Sequence, residues 1–335
     1  MPGDGVAGFD IHGLSITVDS DWPEILDALR RDFTWFALDA LPERPDATVE
    51  IAYGPPDYDI FEPVAASLIT ERNVVFRAGG RTVIDYVGGA VSVLEDDGRL
   101  LRIRGEDGWT VRRAAFDFML SRVGAHLDRI GLPRMHGLAL AGEGGGVVVM
   151  LPMGGGKTTL ALSALAARVK LLSESSPLLD REGRLHAFPL PLWIRTTSPE
   201  AASLPAEFVR RLDGIDPDPL ILEVAAFADL VPREPVPLRH LVLGNRSLAR
   251  TPTLERLPRR AAIGPLSRDS VAGLGFFQGV EFLMRNGPRD VAAQAAVAAR
   301  RAVHCRAALA QATVWRLTLG RNREANWHAL GRLLD

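Results

Sequence analysis

The stretch Val147-Val-Val-Met-Leu-Pro-Met-Gly-Gly-Gly-Lys-Thr-Thr-Leu-Ala161 decides how the chain reads. An apolar strand runs into a glycine-rich turn, then into a lysine, two hydroxyls and the start of an amphipathic helix. That order is the strand–loop–helix context of a phosphate-binding loop. Glycines let consecutive backbone N–H groups converge in a concave nest, and a helix N-terminus adds partial positive charge and unpaired donors. An ammonium at Lys157 suits the outer phosphates of a nucleotide, and a hydroxyl at Thr158 suits Mg2+. Gly154, Gly155, Gly156, Lys157, Thr158 and Thr159 are therefore the candidate ATP-binding residues, with Mg2+ as the accompanying ion. The full pattern G-x-x-x-x-G-K-[ST] asks for glycine at position 151, where this chain has Leu151.

Composition supports a chemical role for that lysine. Of the 39 basic residues only Lys157 and Lys170 are lysines, so arginine serves almost wherever a positive charge is needed. A compact ammonium and a planar guanidinium are not interchangeable at a phosphate. The 335 residues correspond to two domains at ~100–200 residues each. With 47% hydrophobic and 24% charged residues the chain can bury a core and is not of the disordered class. A net charge of −2 gives no footprint for nucleic acid. The single cysteine, Cys305, excludes a disulfide framework and a cysteine-built metal site and reads as a buried small residue. No apolar run approaches a membrane span and the N-terminus lacks a signal pattern, so a cytoplasmic protein is expected.

Outward from the loop, a hairpin is expected before it (Leu138–Ala141 and Val147–Leu151) and a helix after it, Lys157 to Arg168. A short strand, Lys170–Ser173, leads to Glu174. Residues 199–260 read as proline-rich loop with one strand at Leu241–Leu243. They are followed by a helix at Arg289–Ala310, a strand at Thr313–Leu319 and a helix at Asn322–Leu334. The first ~110 residues read as a smaller α+β region: a strand at Leu14–Val18, a helix at Asp21–Phe33, a strand at Thr48–Tyr53, then an antiparallel meander to Arg104. Trp109–Ile130 reads as a helix stopped by Gly131 and Pro133. The expected domains are thus 1–110, a connecting helix in 111–133, and 134–335.

Three residues outside the loop are candidates for catalysis. Glu174, at the end of the strand after the loop helix, is placed to hold Mg2+ with Thr158 or to accept a hydroxyl proton. Arg195 ends the apolar run Pro191-Leu-Trp-Ile and can steady charge on a transferred phosphoryl group, with Arg246 a weaker candidate of the same kind. His136 stands just before the hairpin that feeds the loop. Asp180, in Leu178-Leu-Asp-Arg-Glu-Gly, fits a hairpin turn better than a site.

With these residues in place, the second half resembles the HPr kinase/phosphorylase superfamily, whose nucleotide core is similar to that of PEP carboxykinase. The resemblance rests on Met135-His136-Gly137, the hairpin, the loop at Met153–Thr159, Leu171-Leu-Ser-Glu-Ser-Ser-Pro-Leu-Leu-Asp, Phe188-Pro-Leu-Pro-Leu-Trp-Ile-Arg195 and Trp315-Arg-Leu-Thr-Leu-Gly. It covers about residues 134–335. It implies an α/β fold with a P-loop kinase core and ATP and Mg2+ as ligands of Lys157 and Thr158. It further implies His136 near the active site, Glu174 as base or metal ligand, and transfer of phosphate to a serine hydroxyl of a peptide or protein. Where the family usually has paired acids, this chain has Glu174-Ser175. That departure keeps a second expectation open: a nucleotide-binding scaffold, weak or inactive in catalysis, that recruits a peptide to a partner enzyme. A homo-oligomer is compatible with either.

Overall fold

The computed structural model describes residues 5–59, 63–95, 97–211, 219–271, 282 and 288–335. It is mixed α/β, and its residues fall into two compact units. The first comprises Met1–His126 with Phe277–Ala293, the second Leu127–Phe276 with Gln294–Asp335. The long helix expected as a separate connector is divided between them.

In the first unit, β1 (Val6–Ile11), β2 (Leu14–Ser20), β3 (Ala47–Tyr53), β4 (Ala66–Ile69), β5 (Val74–Ala78), β6 (Arg81–Asp85), β7 (Ala90–Leu94) and β8 (Leu100–Gly105) form one eight-stranded sheet. Its order is β1-β2-β3-β8-β7-β6-β5-β4. The meander from β4 to β8 is antiparallel, and β3 runs parallel to both β2 and β8. The β1–β2 hairpin turns on His12-Gly13, both with positive φ (53° and 85°), the geometry that matches strand twist. Helix α1 (Pro23–Asp32) makes the crossover from β2 to β3. It starts with a proline in its first turn, carries Glu24 early and Arg30 and Arg31 late, and buries Ile25, Leu26, Ala28 and Leu29. Helix α2 (Gly108–Ile130) buries Val111, Ala115, Phe118, Met119 and Val123, while Ile130 at its end is 46% exposed. The rings of Phe9, Phe33 and Phe116 link strand, α1 end and α2 at centroid distances of 5.6 and 5.2 Å. Beside them the Arg112 guanidinium donates from Nε to Asp32 at 3.0 Å, with both residues buried.

The second unit begins with the hairpin β9 (Leu138–Gly142) and β10 (Gly145–Met150). Then follow α3 (Lys157–Ala166), β11 (Lys170–Ser173), β12 (Leu178–Leu179), β13 (Arg184–His186), β14 (Leu192–Arg195), β15 (Val209–Arg211), β16 (Pro219–Leu222), β17 (Val236–Arg246) and β18 (Thr253–Leu257). The unit closes with α4 (Ile263–Leu266), a π-helical turn at Ser267–Val271, the part of α5 (Pro288–Gln311) from Gln294 onward, β19 (Thr313–Leu319) and α6 (Arg323–Gly331). The main sheet runs β11-β9-β10-β17-β13-β12, with β19 also paired to β17 and β18 to β19. Strands β10, β17 and β19 are mutually parallel, so their carboxyl ends open on one rim. One face is sealed by Met135, Val148, Met150, Leu241, Leu266, Cys305, Ala308 and Val314. Burial pushes the Cys305 thiol up to about 11, in keeping with a packing role. Strands β14, β16 and β15 form a separate antiparallel sheet.

Residues 199–260 hold more structure than their prolines suggest. They contain β15 to β18, and β17 runs for 11 residues rather than three. Among the described residues no helix is long and apolar enough to cross a membrane.

Arg112 and Asp32 are both buried, so removing one takes a charged partner from a group that stays buried. Asp32→Ala is expected to lower the urea unfolding free energy by about 3–5 kcal/mol, and Asp32→Ala combined with Arg112→Leu by clearly less. Equal losses in single and double variants would assign the cost to packing alone.

Candidate functional site

The carboxyl end of β10 leads into the turn Leu151–Gly156, and α3 begins at Lys157. Gly154 and Gly156 have φ of +71° and +111°, a backbone region that side chains disfavour. Gly155 is needed for another reason: a Cβ there would lie 2.8 Å from the Pro152 carbonyl oxygen. No side chain caps α3. The first hydrogen bond into its backbone is from Leu160 N–H to Gly156, so the N–H groups of its first turn keep their donors free at the loop.

Leu151 fits where the sequence pattern asks for glycine. Its side chain is 2% exposed and lies over Gly244 of β17, where any Cβ would collide with it. Its carbonyl accepts from the Lys157 ammonium at 2.8 Å. Lys157 is itself buried, at 8% exposure, and donates also to Pro152 O (3.4 Å) and to His136 Nε2 (3.2 Å). Burial pulls Lys157 below its ordinary value, against the opposing pull of Glu174 and Asp269. Burial, then the Lys157 charge, pulls His136 down as well, which leaves Nε2 able to accept.

Thr158 Oγ1 donates to Glu174 Oε1 at 2.8 Å. Burial raises Glu174 above the usual glutamate value, while the Thr158 hydroxyl and Lys157 oppose that rise. The loop helix and the strand after it thus bring together a hydroxyl and a carboxylate that are 16 residues apart.

A cavity of about 490 Å³ opens on these groups, ordinary for a small-molecule site (~300–1,000 Å³). Gly154, Gly156, Lys157, Thr158, Thr159, His136, Glu174 and Arg195 all line it. Gly155 does not; it lies buried behind the turn. Asp180 is elsewhere, bonded to Arg184 N at 2.8 Å and His186 Nε2 at 3.0 Å within the β12–β13 hairpin, a turn role.

Four lining or neighbouring groups carry no signal, or a faint one, in sequence. Trp193, on β14, is 42% exposed at the cavity. Arg246 ends β17 and Arg323 begins α6, just past β19. Asp269, in the π-helical turn, exerts an electrostatic pull on both Lys157 and His136 although more than 100 residues away in sequence. The arginines face the cavity only because β17 and β19 run parallel to β10, which no local pattern reports. Among the described residues no group of three or more His, Cys, Asp or Glu side chains is arranged for a metal, so a divalent ion here would need ligand oxygens as well as Thr158 and Glu174.

Because Glu174 has a raised pKa, its folded state loses stability as pH climbs through that value, relative to its fully protonated form. Glu174→Gln keeps an acceptor for Thr158 and cannot ionise. The melting temperature of Glu174→Gln minus that of the wild type is therefore expected to be more positive at pH 8 than at pH 4. A difference that is flat across that range would show that Glu174 ionises without cost.

Compared with known proteins, the chain matches no family model and no curated sequence.

Proposed function

We propose that the second unit binds ATP and transfers its γ-phosphoryl group to a hydroxyl acceptor. One observation carries this reading: a buried lysine and a Thr158–Glu174 hydrogen bond meet at an uncapped helix N-terminus inside one cavity. The fit to a polyphosphate is physical. Unpaired N–H groups at the start of α3, positive φ at Gly154 and Gly156, and the ammonium of Lys157 all favour an anion. The resemblance to the HPr kinase/phosphorylase superfamily agrees with it.

In this reading Lys157 exchanges the carbonyls of Leu151 and Pro152 for phosphate oxygens, and His136, neutral, stays behind it as an acceptor. Thr158 and Glu174 would hold Mg2+, which supplies neutralisation of charge on the phosphates when bound. Glu174 also takes the proton of the acceptor hydroxyl as its oxygen bonds to the γ-phosphorus; the bond to the bridging oxygen breaks, and ADP leaves with the electron pair. Arg195, at the end of β14, faces the charge that builds on the transferred group. Trp193 offers exposed aromatic surface for the base.

Calorimetric titration with Mg·ATP is expected to show one site in the wild type and none in Lys157→Ala. Glu174→Gln is expected to keep nucleotide binding and to lower turnover by about 100-fold or more. kcat/KM, which reports the free enzyme, should fall on acidification through a pKa above the ordinary glutamate range, since the base works only when deprotonated. A wild type that does not bind Mg·ATP sinks the proposal. One observation favours the scaffold reading: among the described residues that line the cavity, Glu174 is the sole carboxylate. Binding without turnover over all acceptors, in a protein otherwise intact, would decide for it.

A further inference from the structure

Three parallel strands end on the same rim, and each delivers a cation there. Strand β10 leads to Lys157, β17 ends in Arg246, and β19 leads to Arg323. Met150 pairs with Leu243, so Arg246 lies three residues beyond that level, alongside the glycine-rich turn. Arg246 pairs in register with Leu319, from which the chain runs directly to Arg323. In a sheet whose strands are ~4.8 Å apart, the three cations step sideways from the loop rather than crowd one point. In open α/β sheets this crevice beyond the strand ends is where ligands sit.

The two arginines differ from the chain's many solvated ones. The Arg246 guanidinium makes no hydrogen bond or ion pair with any described residue, although it lines the cavity. Arg323 is held in place from two sides. Glu200 accepts from its Nη1 at 2.6 Å, and the turn before it is clamped by Asn326, which accepts from Gly320 N (2.8 Å) and donates to Gly320 O (2.9 Å). A guanidinium has five N–H donors, so the bond to Glu200 leaves Arg323 with others to offer. The Lys157 ammonium and the α3 N-terminus suit a polyphosphate, and of the two arginines only Arg323 has a carboxylate partner among the described residues, Glu200.

Resting on the nucleotide reading above, we infer that Arg246 and Arg323 form a second anion subsite, which holds a carboxylate or phosphate carried by the acceptor itself. The acceptor is then a hydroxyl compound with its own anionic group, either a free hydroxy acid or a serine flanked by acidic side chains. Planar guanidiniums grip such groups in two-point contacts and fix the hydroxyl's direction, which a point charge does not. Arg195, on the other sheet, remains for the transferred group.

The test uses the full chain saturated with the non-hydrolysable analogue AMP-PNP and Mg2+, titrated with inorganic phosphate. The wild type is expected to take up one further equivalent of phosphate. Arg246→Gln, which removes an exposed and unpaired cation and leaves the fold without a lost contact, is expected to weaken that uptake by about 10-fold or more while AMP-PNP affinity stays within about 3-fold. Arg323→Gln should act in the same direction. If the wild type binds no AMP-PNP, the nucleotide reading fails and this inference with it. If it binds AMP-PNP but no phosphate, or if Arg246→Gln weakens nucleotide as much as phosphate, the second subsite alone is overturned. Displacement of the phosphate by glycerate assigns the anion to a free hydroxy acid; displacement by a capped Glu-Ser-Glu peptide assigns it to a protein side chain. Displacement by neither overturns the acceptor assignment.

Discussion

The Lys157 ammonium, buried and folded back onto the carbonyl of Leu151, is the contact on which the second unit's working end depends. It closes the glycine-rich turn as a ring: the strand leaves β10, turns, and is tied by its own first helical residue to the point where the turn began. Every other feature of the turn serves that closure. Gly155 must lack a side chain because the Pro152 carbonyl passes so near, and Gly154 and Gly156 take left-handed backbone to bring α3 round. Leu151 anchors the start by packing over Gly244, so a residue that breaks the sequence pattern is compensated by a glycine on the neighbouring strand. A ring held by an ammonium and two carbonyls keeps its shape without a ligand, and those carbonyls are weaker partners for a cation than anionic oxygens are.

Much of this was legible beforehand because the relevant signals are local. Apolar residues 147–151, then glycines, a lysine and a helical period, report strand, turn and helix without help from the rest of the chain. Lys157 also stood out chemically against a background of arginine. Glu174 was legible as the end of a short strand after the loop helix, and its hydrogen bond to Thr158 follows from that placement. What stayed hidden depends on pairing between distant segments. Arg246 read only as a weaker candidate beside Arg195, and Arg323 as an ordinary helix start; their place at the cavity comes from β17 and β19 running parallel to β10. Strand β17 itself was underestimated because Pro237, Arg239 and His240 interrupt its apolar run, and β1 was missed because Val6–Ile11 alternates too weakly around a glycine. Asp269 had no signal at all, since its bearing on Lys157 and His136 comes only from the packing of a distant turn.

The parallel strands also explain why positive charge gathers on one rim. Antiparallel neighbours would send alternate strand ends to opposite edges and scatter Lys157, Arg246 and Arg323. Parallel pairing sends all three to the same side, where the N-terminus of α3 adds its own partial charge. The hairpin β9–β10 is antiparallel and brings His136, just before β9, to the same rim as the end of β10. Topology, rather than any run of basic residues, gathers these cations at one end of the sheet.

Protonation at the site shares one cause. Glu174 is raised, and Lys157 and His136 are lowered, each chiefly by burial, so all three lean toward their neutral forms. Water has been removed from the groups faster than they can compensate one another, even with Glu174 and Asp269 acting on Lys157. Negative oxygens placed beside Lys157 would favour its ammonium, and a divalent cation placed beside Glu174 would favour its carboxylate. The two charged forms also favour each other, since Glu174 raises Lys157 and Lys157 lowers Glu174.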